Sequence, residues 1–305
     1  MTELAAAAND VRWGDSSLWR WVRAYGSSRV AVFGALLLSV IVVLALLAPW
    51  ITPQNPYDLA TLDLLDSRLP PGAHASSGHL VYWLGTDGQG RDLLSAILYG
   101  LRISVGIGLI STLIALALGT SIGLVAGYRG GWVDALVMRL VDIQLAFPSI
   151  LLALILLAFL RPGLSNIVIA LITVQWAYYA RTARGAAMVE SRREYILAAV
   201  GLGLAPWRVV LRHLLPNCLP PLIVVAALQV ASAITLEATL SFLGLGVPVT
   251  EPSLGLLIAN GSQYLLAGTY WISFFPGVAL LATIVAINLV GDQLRDILNP
   301  HMQTL

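Results

Sequence analysis

A series of long apolar stretches constrains this chain more than any other feature of its sequence. The first, residues 30–50, contains no charged residue, and a helix needs about 20 mostly apolar residues to span a bilayer. Five more such stretches follow, at residues 103–128, 140–160, 166–184, 218–245 and 270–289. Only 11% of all residues are charged, against about 25% in soluble domains. The sequence therefore predicts an all-α integral membrane protein with six transmembrane helices, and it excludes a cytosolic enzyme or a disulfide-stapled secreted module.

The distribution of arginine predicts how these helices are oriented. The stretch at 166–184 is the weakest of the six because Arg181 interrupts it. If it is a span, 13 of the 17 arginines fall on one side of the membrane; without it the split is 11 against 6. Basic residues concentrate on the cytoplasmic side of membrane proteins. We therefore predict six spans with both termini cytoplasmic, which makes residues 1–29 and 290–305 cytoplasmic segments.

Three long connections separate the predicted spans, and the last of them, at about 246–269, is external and has one charge, Glu251. Residues 51–102 form an extracytoplasmic loop that is rich in proline, glycine and aspartate, a composition typical of an ordered cap rather than a folded domain. The transmembrane core then occupies residues 103–289. A cytoplasmic loop at residues 185–216 interrupts this core and is long enough to carry a function.

The cytoplasmic loop contains the pattern of two short helices. Ser191 and Glu194 have the spacing of a capping box before an apolar run, which predicts a helix from Arg192 to Ala199. Gly201 and Gly203 can end this first helix. Pro206 suits the first turn of a second helix. Pro216 either ends that second helix or kinks the start of the next span.

Ala198 and Ala199 give the first of these helices a small-residue face. Such a face can fit closely into a groove of another protein, with Arg192, Arg193 and Glu194 as flanking charges. The alternative is a loop helix that lies on the membrane surface. The residues alone leave both interpretations open.

A resemblance to a known family favours the first interpretation. The run EYILAAVGLG at residues 194–203, followed by Leu215-Pro216-Asn217, resembles the EAA loop of ABC importer permeases. Further segments resemble the dipeptide, oligopeptide and nickel permeases in order and spacing: LGTDGQGRD at 84–92, AGYRGG at 126–131, LSFLGLG at 240–246 and GDQLRDILNP at 291–300. The resemblance extends from about residue 29 to residue 300 and is greatest to the second permease subunit of these importers.

This resemblance implies a type I ABC importer permease in a bacterial inner membrane. A homologous second permease would complete a heterodimer, an extracytoplasmic binding protein would deliver substrate, and two ATPase subunits would bind the cytoplasmic loop. Di- or oligopeptides are the implied cargo, with nickel, haem, glutathione or sugar as alternatives. The residues implied to couple the chain to the ATPases are Arg193, Glu194, Tyr195, Ala198, Ala199, Gly201, Gly203 and Pro216.

We expect no nucleotide, metal or nucleic-acid site in this chain. All 17 basic residues are arginine, so a phosphate-binding loop with Gly-Lys-Ser or Gly-Lys-Thr cannot occur. The chain is therefore predicted to be non-catalytic, with ATP and magnesium bound by the partner ATPases. Cys218 is the single cysteine and the four histidines lie far apart, which argues against a metal site. A net charge of +1 argues against nucleic acid. Membrane lipid is expected as a further partner, because the chain is predicted to be an integral membrane protein.

Polar residues within the predicted spans are the candidates for a translocation path. They are Gln175, Trp176, Gln229 and Glu237. Ionisable residues in a span usually face the protein interior or a water-filled path, so Glu237 either lines the path or meets a structural partner elsewhere in the bundle. Gln and Trp also serve helix packing. Asp142, near the inner end of a span, is expected to pair with a nearby arginine.

Two alternatives remain open from the residues. Gly119 and Gly123 have the G-x-x-x-G spacing that permits close helix approach, either within this chain or against another subunit. A stand-alone secondary transporter is a second functional hypothesis. Such a transporter would normally show paired half-repeats and several buried charges, whereas the sequence shows no convincing repeat and only Glu237 deep in a span.

Overall fold

The computed structural model describes residues 25–26, 28–58, 62–78, 80–248 and 250–298. Most of the N-terminal segment predicted at 1–29, and residues 299–305 of the predicted C-terminal tail, lie outside this part of the chain. The helices are α1 (Arg29–Ile51), α2 (Leu93–Arg129), α3 (Gly131–Ala146), α4 (Ser149–Phe159), α5 (Leu164–Glu190), α6 (Glu194–Gly201), α7 (Pro206–Val209), α8 (Leu215–Phe242), α9 (Leu254–Ser262) and α10 (Trp271–Leu298). Strands β1 (Ala73–His74) and β2 (Val81–Tyr82) pair antiparallel, and a π-helical turn at Val210–Leu214 joins α7 to α8.

Four helical segments are long and apolar enough to span a membrane. They are α1, α2, α10 and the continuous segment Pro206–Phe242, which comprises α7, the π turn and α8. The pair α3 and α4 adds a fifth if together they cross the membrane. α5 takes the place of the weakest predicted span, and its 27 residues include Arg181 and Arg184. The described part of the chain is thus all-α with four or five candidate spans, and the count of six stays a prediction.

The span predicted at 140–160 is not one continuous helix, and whether the bent pair crosses the membrane stays a prediction. α3 ends at Ala146, α4 begins at Ser149, and the two helices meet at 92°. Between them Phe147 has an extended backbone with ψ 141°. A proline ring sterically disfavours the helical conformation of the residue before it, so Pro148 accounts for the break.

Two other predicted boundaries also move. α2 begins at Leu93 because Asp92 caps it: the Ser95 N–H donates to Asp92 Oδ2 over 2.8 Å. Residues 93–102 therefore belong to α2 rather than to the outer loop. At the other end of the chain α10 continues to Leu298, so residues 290–298 extend the last helix instead of forming a separate tail.

Glycines bring α2 and α5 into backbone contact. A Cβ atom at Gly119 would overlap the carbonyl oxygen of Trp176, and one at Gly123 would overlap that of Ala180. One turn further along, a Cβ at Gly127 would lie 2.8 Å from the Arg184 carbonyl oxygen. The G-x-x-x-G spacing therefore serves packing within this chain, which is the first of the two alternatives that the sequence left open.

The connection between α1 and α2, which we call the outer cap (residues 52–92), is built around buried charged groups. Asp66 is 4% exposed and accepts hydrogen bonds from the Ser76 N–H and the Tyr82 hydroxyl, each over 2.8 Å. Burial alone would raise the pKa of Asp66, but the hydrogen bonds from Ser76 and Tyr82 outweigh it and hold the pKa below its ordinary value. Asp87 and Arg91 form a second buried pair, with Nε to Oδ2 at 2.7 Å.

Candidate coupling loop and buried polar clusters

The loop between α5 and α8 begins with a helix end that the sequence analysis misplaced. α5 continues to Glu190, and the Ser191 N–H closes it by donating to the Ala187 carbonyl over 2.8 Å. The Ser191 hydroxyl donates back to Met188, so Ser191 does not cap the next helix. The helix predicted to begin near Arg192 is present but starts two residues later, and the predicted capping role of Ser191 is wrong. α6 begins at Glu194, and its N-cap residue, Arg193, makes no side-chain capping bond.

Gly203 ends α6 in the left-handed conformation. Its φ is +72°, its N–H donates to the Val200 carbonyl over 2.9 Å, and the next N–H, that of Leu204, reaches Ala199 over 3.2 Å. Such a reversal at the C-terminus of a helix favours glycine. Gly201, in contrast, is the last residue of α6 and has a negative φ. Of the two predicted glycines, only Gly203 occupies a position that requires glycine.

Pro206 begins α7, as predicted, but the helix does not end at Pro216. That proline lies in the first turn of α8, directly after the π turn, in which the Leu215 N–H bonds to Val210 five residues back. Proline has no N–H to donate. The wider turn accommodates this proline, and Asn217 Nδ2 donates a hydrogen bond of 2.7 Å to the His213 carbonyl in the same turn.

α6 has one buried and one exposed face. Ile196 and Ala199 are buried and pack against Val209 and Tyr128. The exposed residues of α6 begin with the charged Glu194 and continue with a group of apolar ones. We call this apolar group the coupling face; it consists of Leu197, Ala198, Val200 and Leu202, the residue that follows the helix. The two alanines therefore have different positions, with Ala199 inside and Ala198 on the surface. The sequence analysis identified the alanines but missed the three larger apolar residues beside them.

Glu190 holds the start of α6 against the end of α5. The Tyr195 hydroxyl donates to Glu190 Oε1 over 2.6 Å, and Arg193 Nε donates to Oε2 over 3.2 Å. Desolvation and the neighbouring Glu190 raise the pKa of Tyr195 to about 12, so its hydroxyl keeps its proton and remains a donor. The sequence analysis missed Glu190 because its pairing with Tyr195 crosses the break between two helices, where helical periodicity gives no signal.

Two ion pairs connect α5 to α3 near the coupling loop. Arg184 binds Asp134 through Nε to Oδ1 at 2.8 Å and Nη2 to Oδ2 at 2.6 Å. Arg181 pairs with Asp142, which confirms the expectation that Asp142 meets an arginine. Both arginines of α5 thus have carboxylate partners.

Glu237 lies wholly inside this chain, at 0% exposure. The Ser104 hydroxyl of α2 donates to its Oε2 over 2.7 Å, and the Ser241 hydroxyl donates to Oε1 over 2.8 Å. Each carboxylate oxygen therefore has a partner in the bundle. This geometry favours the structural alternative for Glu237 over a path-lining one.

Gln175 and Gln229 join α5 to α8 in the same interior. Gln175 accepts a hydrogen bond from the Thr112 hydroxyl and donates to the backbone carbonyl of Gln229, each over 3.2 Å. Both glutamines are buried. Trp176 is partly buried, and its indole N–H donates to Gln144 Oε1 over 2.7 Å. The four predicted path residues therefore do not converge on one cavity, and their path-lining role stays a prediction.

Among the described residues, no cluster of three or more His, Cys, Asp or Glu side chains has the arrangement of a metal site. The buried polar groups reported above are hydrogen-bonded to one another within the bundle. The described helices as a whole form an apolar bundle with a short surface helix, α6, that exposes several apolar side chains.

Comparison with known proteins gives the class of this bundle. The family model described as "Binding-protein-dependent transport system inner membrane component" matches residues 119–304, which is more than half of the chain. The model described as "N-terminal TM domain of oligopeptide transport permease C" matches residues 17–71. The chain belongs to the family of binding-protein-dependent transport system inner membrane components, and it is a non-catalytic permease subunit of an ABC importer.

Curated relatives extend the similarity over nearly the whole chain. The dipeptide transport system permease protein DppC of Haemophilus influenzae is 39% identical over 279 residues, or 92% of this chain and 93% of the relative. The di/tripeptide transport system permease protein DppC of Pseudomonas aeruginosa is 40% identical over 94% of this chain and 93% of the relative. A solved structure of the MetNI methionine ABC transporter in an inward-facing conformation shares the fold, with a TM-score of 0.55 and 21% identity over 67% of this chain and 96% of that one.

Proposed function

We propose that this chain is one of two homologous permeases of an ATP-driven, binding-protein-dependent importer of di- and oligopeptides. The observation that carries the proposal is an identity of 39–40% over at least 90% of the chain to relatives named for dipeptide, di/tripeptide and D,D-dipeptide transport. The likeness covers the outer cap as well as the helical bundle. It therefore includes the part of the chain that would meet an extracytoplasmic binding protein.

In this proposal the chain crosses the bacterial inner membrane six times, with both termini in the cytoplasm. α5 supplies the remaining span, because its 27 residues extend about 40 Å at 1.5 Å per residue. Arg181 and Arg184 are compatible with this assignment, since both lie toward its cytoplasmic end and both are paired with aspartates. Intramembrane charges are tolerated when they are paired.

The coupling face of α6 is proposed to dock into a groove of an ATPase subunit. Its side chains Leu197, Val200 and Leu202 expose apolar surface on a helix that is anchored from behind by Ile196 and Ala199. Burial of that surface would stabilise the contact at about 25 cal/mol per Å² of apolar area. Glu190, Arg193 and Tyr195 hold α6 to α5, so a movement of the ATPases is transmitted to α5 and, through the glycine contacts, to α2. ATP and magnesium are bound by the ATPases in this scheme.

Peptide uptake tests the cargo. Cells that lack this chain should lose uptake of a labelled di- or tripeptide, and restoring the chain should recover it. Unlabelled nickel, haem, glutathione and sugar are each added as competitors of the labelled peptide, to test the alternative cargoes. Unchanged peptide uptake in the deleted strain would contradict the peptide assignment and leave the permease family membership intact.

Purification of the complete complex tests the coupling face. Ala198→Trp places a large ring on the docking surface, and we expect loss of most of the ATPase from the purified complex and loss of substrate-stimulated ATP hydrolysis. Ala267→Trp is the matched control, because Ala267 is also an exposed alanine but lies outside the coupling loop. A full complement of ATPase and normal stimulated turnover in Ala198→Trp would refute the docking role.

A further inference from the structure

A groove at the surface of the bundle lies between the second half of α2 and the start of the Pro206–Phe242 segment. Its volume is about 430 Å³, within the range of roughly 300–1,000 Å³ that is usual for ligand pockets. Ala117, Ser121 and Val125 form the α2 side, and Leu211, Leu219 and Ile223 form the other. Four of these side chains, Val125, Leu211, Leu219 and Ile223, are exposed, so the groove is open along its length.

Two arginines and a tryptophan stand at one end of this groove. Trp207 and Leu211 are one helical turn apart, as are Arg208 and Arg212, and neighbouring positions on a helix lie three and four residues apart. Trp207 is 62% exposed, and the Arg208 guanidinium lies 5.4 Å from the centroid of its ring. Both arginines are exposed, and within the described part of the chain neither forms an ion pair.

Arg91, Arg181 and Arg184 differ from these two arginines, because each of them pairs with an aspartate. At the groove, the described residues supply two cations and an apolar trough, and none of their carboxylates forms an ion pair with these cations. The complementary ligand therefore has an anionic head and a hydrocarbon tail.

We propose that the groove and its arginines form a site for an anionic phospholipid. An acyl chain lies between α2 and α8, and the phosphate group meets Arg208 and Arg212. Trp207 lies at the level of the head groups, where tryptophan is enriched in membrane proteins. Basic pockets between transmembrane helices on the cytoplasmic side bind the head groups of anionic lipids. The proposal rests on the proposed topology, in which residues 185–216 face the cytoplasm, and it is independent of the cargo.

Native mass spectrometry of the complete transporter tests the site. The complex is reconstituted with phosphatidylglycerol or with phosphatidylcholine, and the lipid that it retains is measured. We expect preferential retention of phosphatidylglycerol. Substitution of Arg208→Gln and Arg212→Gln should lower that retention by about fivefold for each arginine, which corresponds to the attraction of a basic side chain at an anionic surface. Ala117→Trp should lower retention of both lipids because it fills the groove.

Arg139→Gln is the matched control, since Arg139 is an exposed arginine on α3, outside the groove. Equal retention of the two lipids, or retention unaffected by the arginine and groove substitutions, would overturn the proposal. So would efficient cross-linking of a cysteine at Ser121 to the second permease, because the groove would then be a subunit interface. Labelling of Arg192→Cys from either side of the membrane tests the topology separately, because Arg192 is exposed in the same loop and lies outside the coupling face. Its failure therefore cannot be confused with failure of lipid binding.

Discussion

Arg184 of α5 binds Asp134 of α3 through two parallel hydrogen bonds, at 2.8 Å and 2.6 Å. The two residues are 50 positions apart, and their bond joins the helix that leads into the coupling loop to the helix that follows α2. Bidentate hydrogen bonds between a guanidinium and a carboxylate fix the relative orientation of the two groups as well as their distance. The pair therefore sets the direction in which α5 leaves the bundle.

Arg184→Gln should lower the stability of the purified chain by about 1–2 kcal/mol, because it leaves a partly buried carboxylate without its charged partner. Thermal unfolding of the complex in detergent measures this loss. The exchanged pair Arg184→Asp with Asp134→Arg should recover part of it. An unchanged midpoint in the single variant would show that the bond is not a structural one.

Gly123→Ala should destabilise the bundle by about 1–3 kcal/mol through overpacking, because its Cβ would meet the Ala180 backbone. Gly106→Ala is the internal control, since a Cβ at Gly106 has no atom within 4 Å, and replacing a helical glycine with alanine stabilises by about 0.5–1 kcal/mol. We therefore expect the two substitutions to shift the midpoint of thermal unfolding in opposite directions, although both lie in the same helix. Equal effects would contradict the backbone contact between α2 and α5.

Glu237→Leu should reduce assembly of the complex, because it leaves the hydroxyls of Ser104 and Ser241 buried without their acceptor. Ser104→Ala should cost about 1–2 kcal/mol. If the carboxylate is structural, Glu237→Gln complexes that do assemble should transport at the normal rate for each molecule. Normal assembly of Glu237→Gln with altered transport would instead support a path-lining role.

The backbone amides of the outer cap should lose their protection against hydrogen exchange as the pH falls. The pKa of Asp66 is lower in the folded cap than in the unfolded chain, where it is about 3.9. Its contribution to stability is therefore fully present above about pH 4 and is lost as the pH falls through the lowered folded pKa. Hydrogen exchange over residues 62–78 and 80–92, measured from pH 6 downwards, should reveal this opening. Tyr82→Phe removes one of the hydrogen bonds and should move the opening to higher pH.

Residue patterns in the sequence determined the class of this protein. Apolar stretches predicted most of the helices, and Pro206 marked the start of α7. The position of Asp142 near the inner end of a span indicated either loop anchoring or pairing with an arginine, and the structure shows the pairing. The structural roles of Ser191 and Pro216 could not be predicted from the residues around them. Ser191 fits a capping box, but α5 runs far enough to use it as a helix end, and Pro216 is carried inside a helix by the π turn.

Only the tertiary structure decided which face of each helix packs against its neighbours. Glu237 is polar in an apolar helix, and that pattern cannot say whether its carboxylate meets water or a hydroxyl of another helix. The Ser104 hydroxyl, which is 133 residues away in sequence, donates to it in the folded bundle. Gly119 and Gly123 likewise permit a close contact without naming its partner. The sequence fixes the period and polarity of each helix, because these depend on neighbouring residues. The rotation and contact of one helix against another depend on packing across the whole bundle.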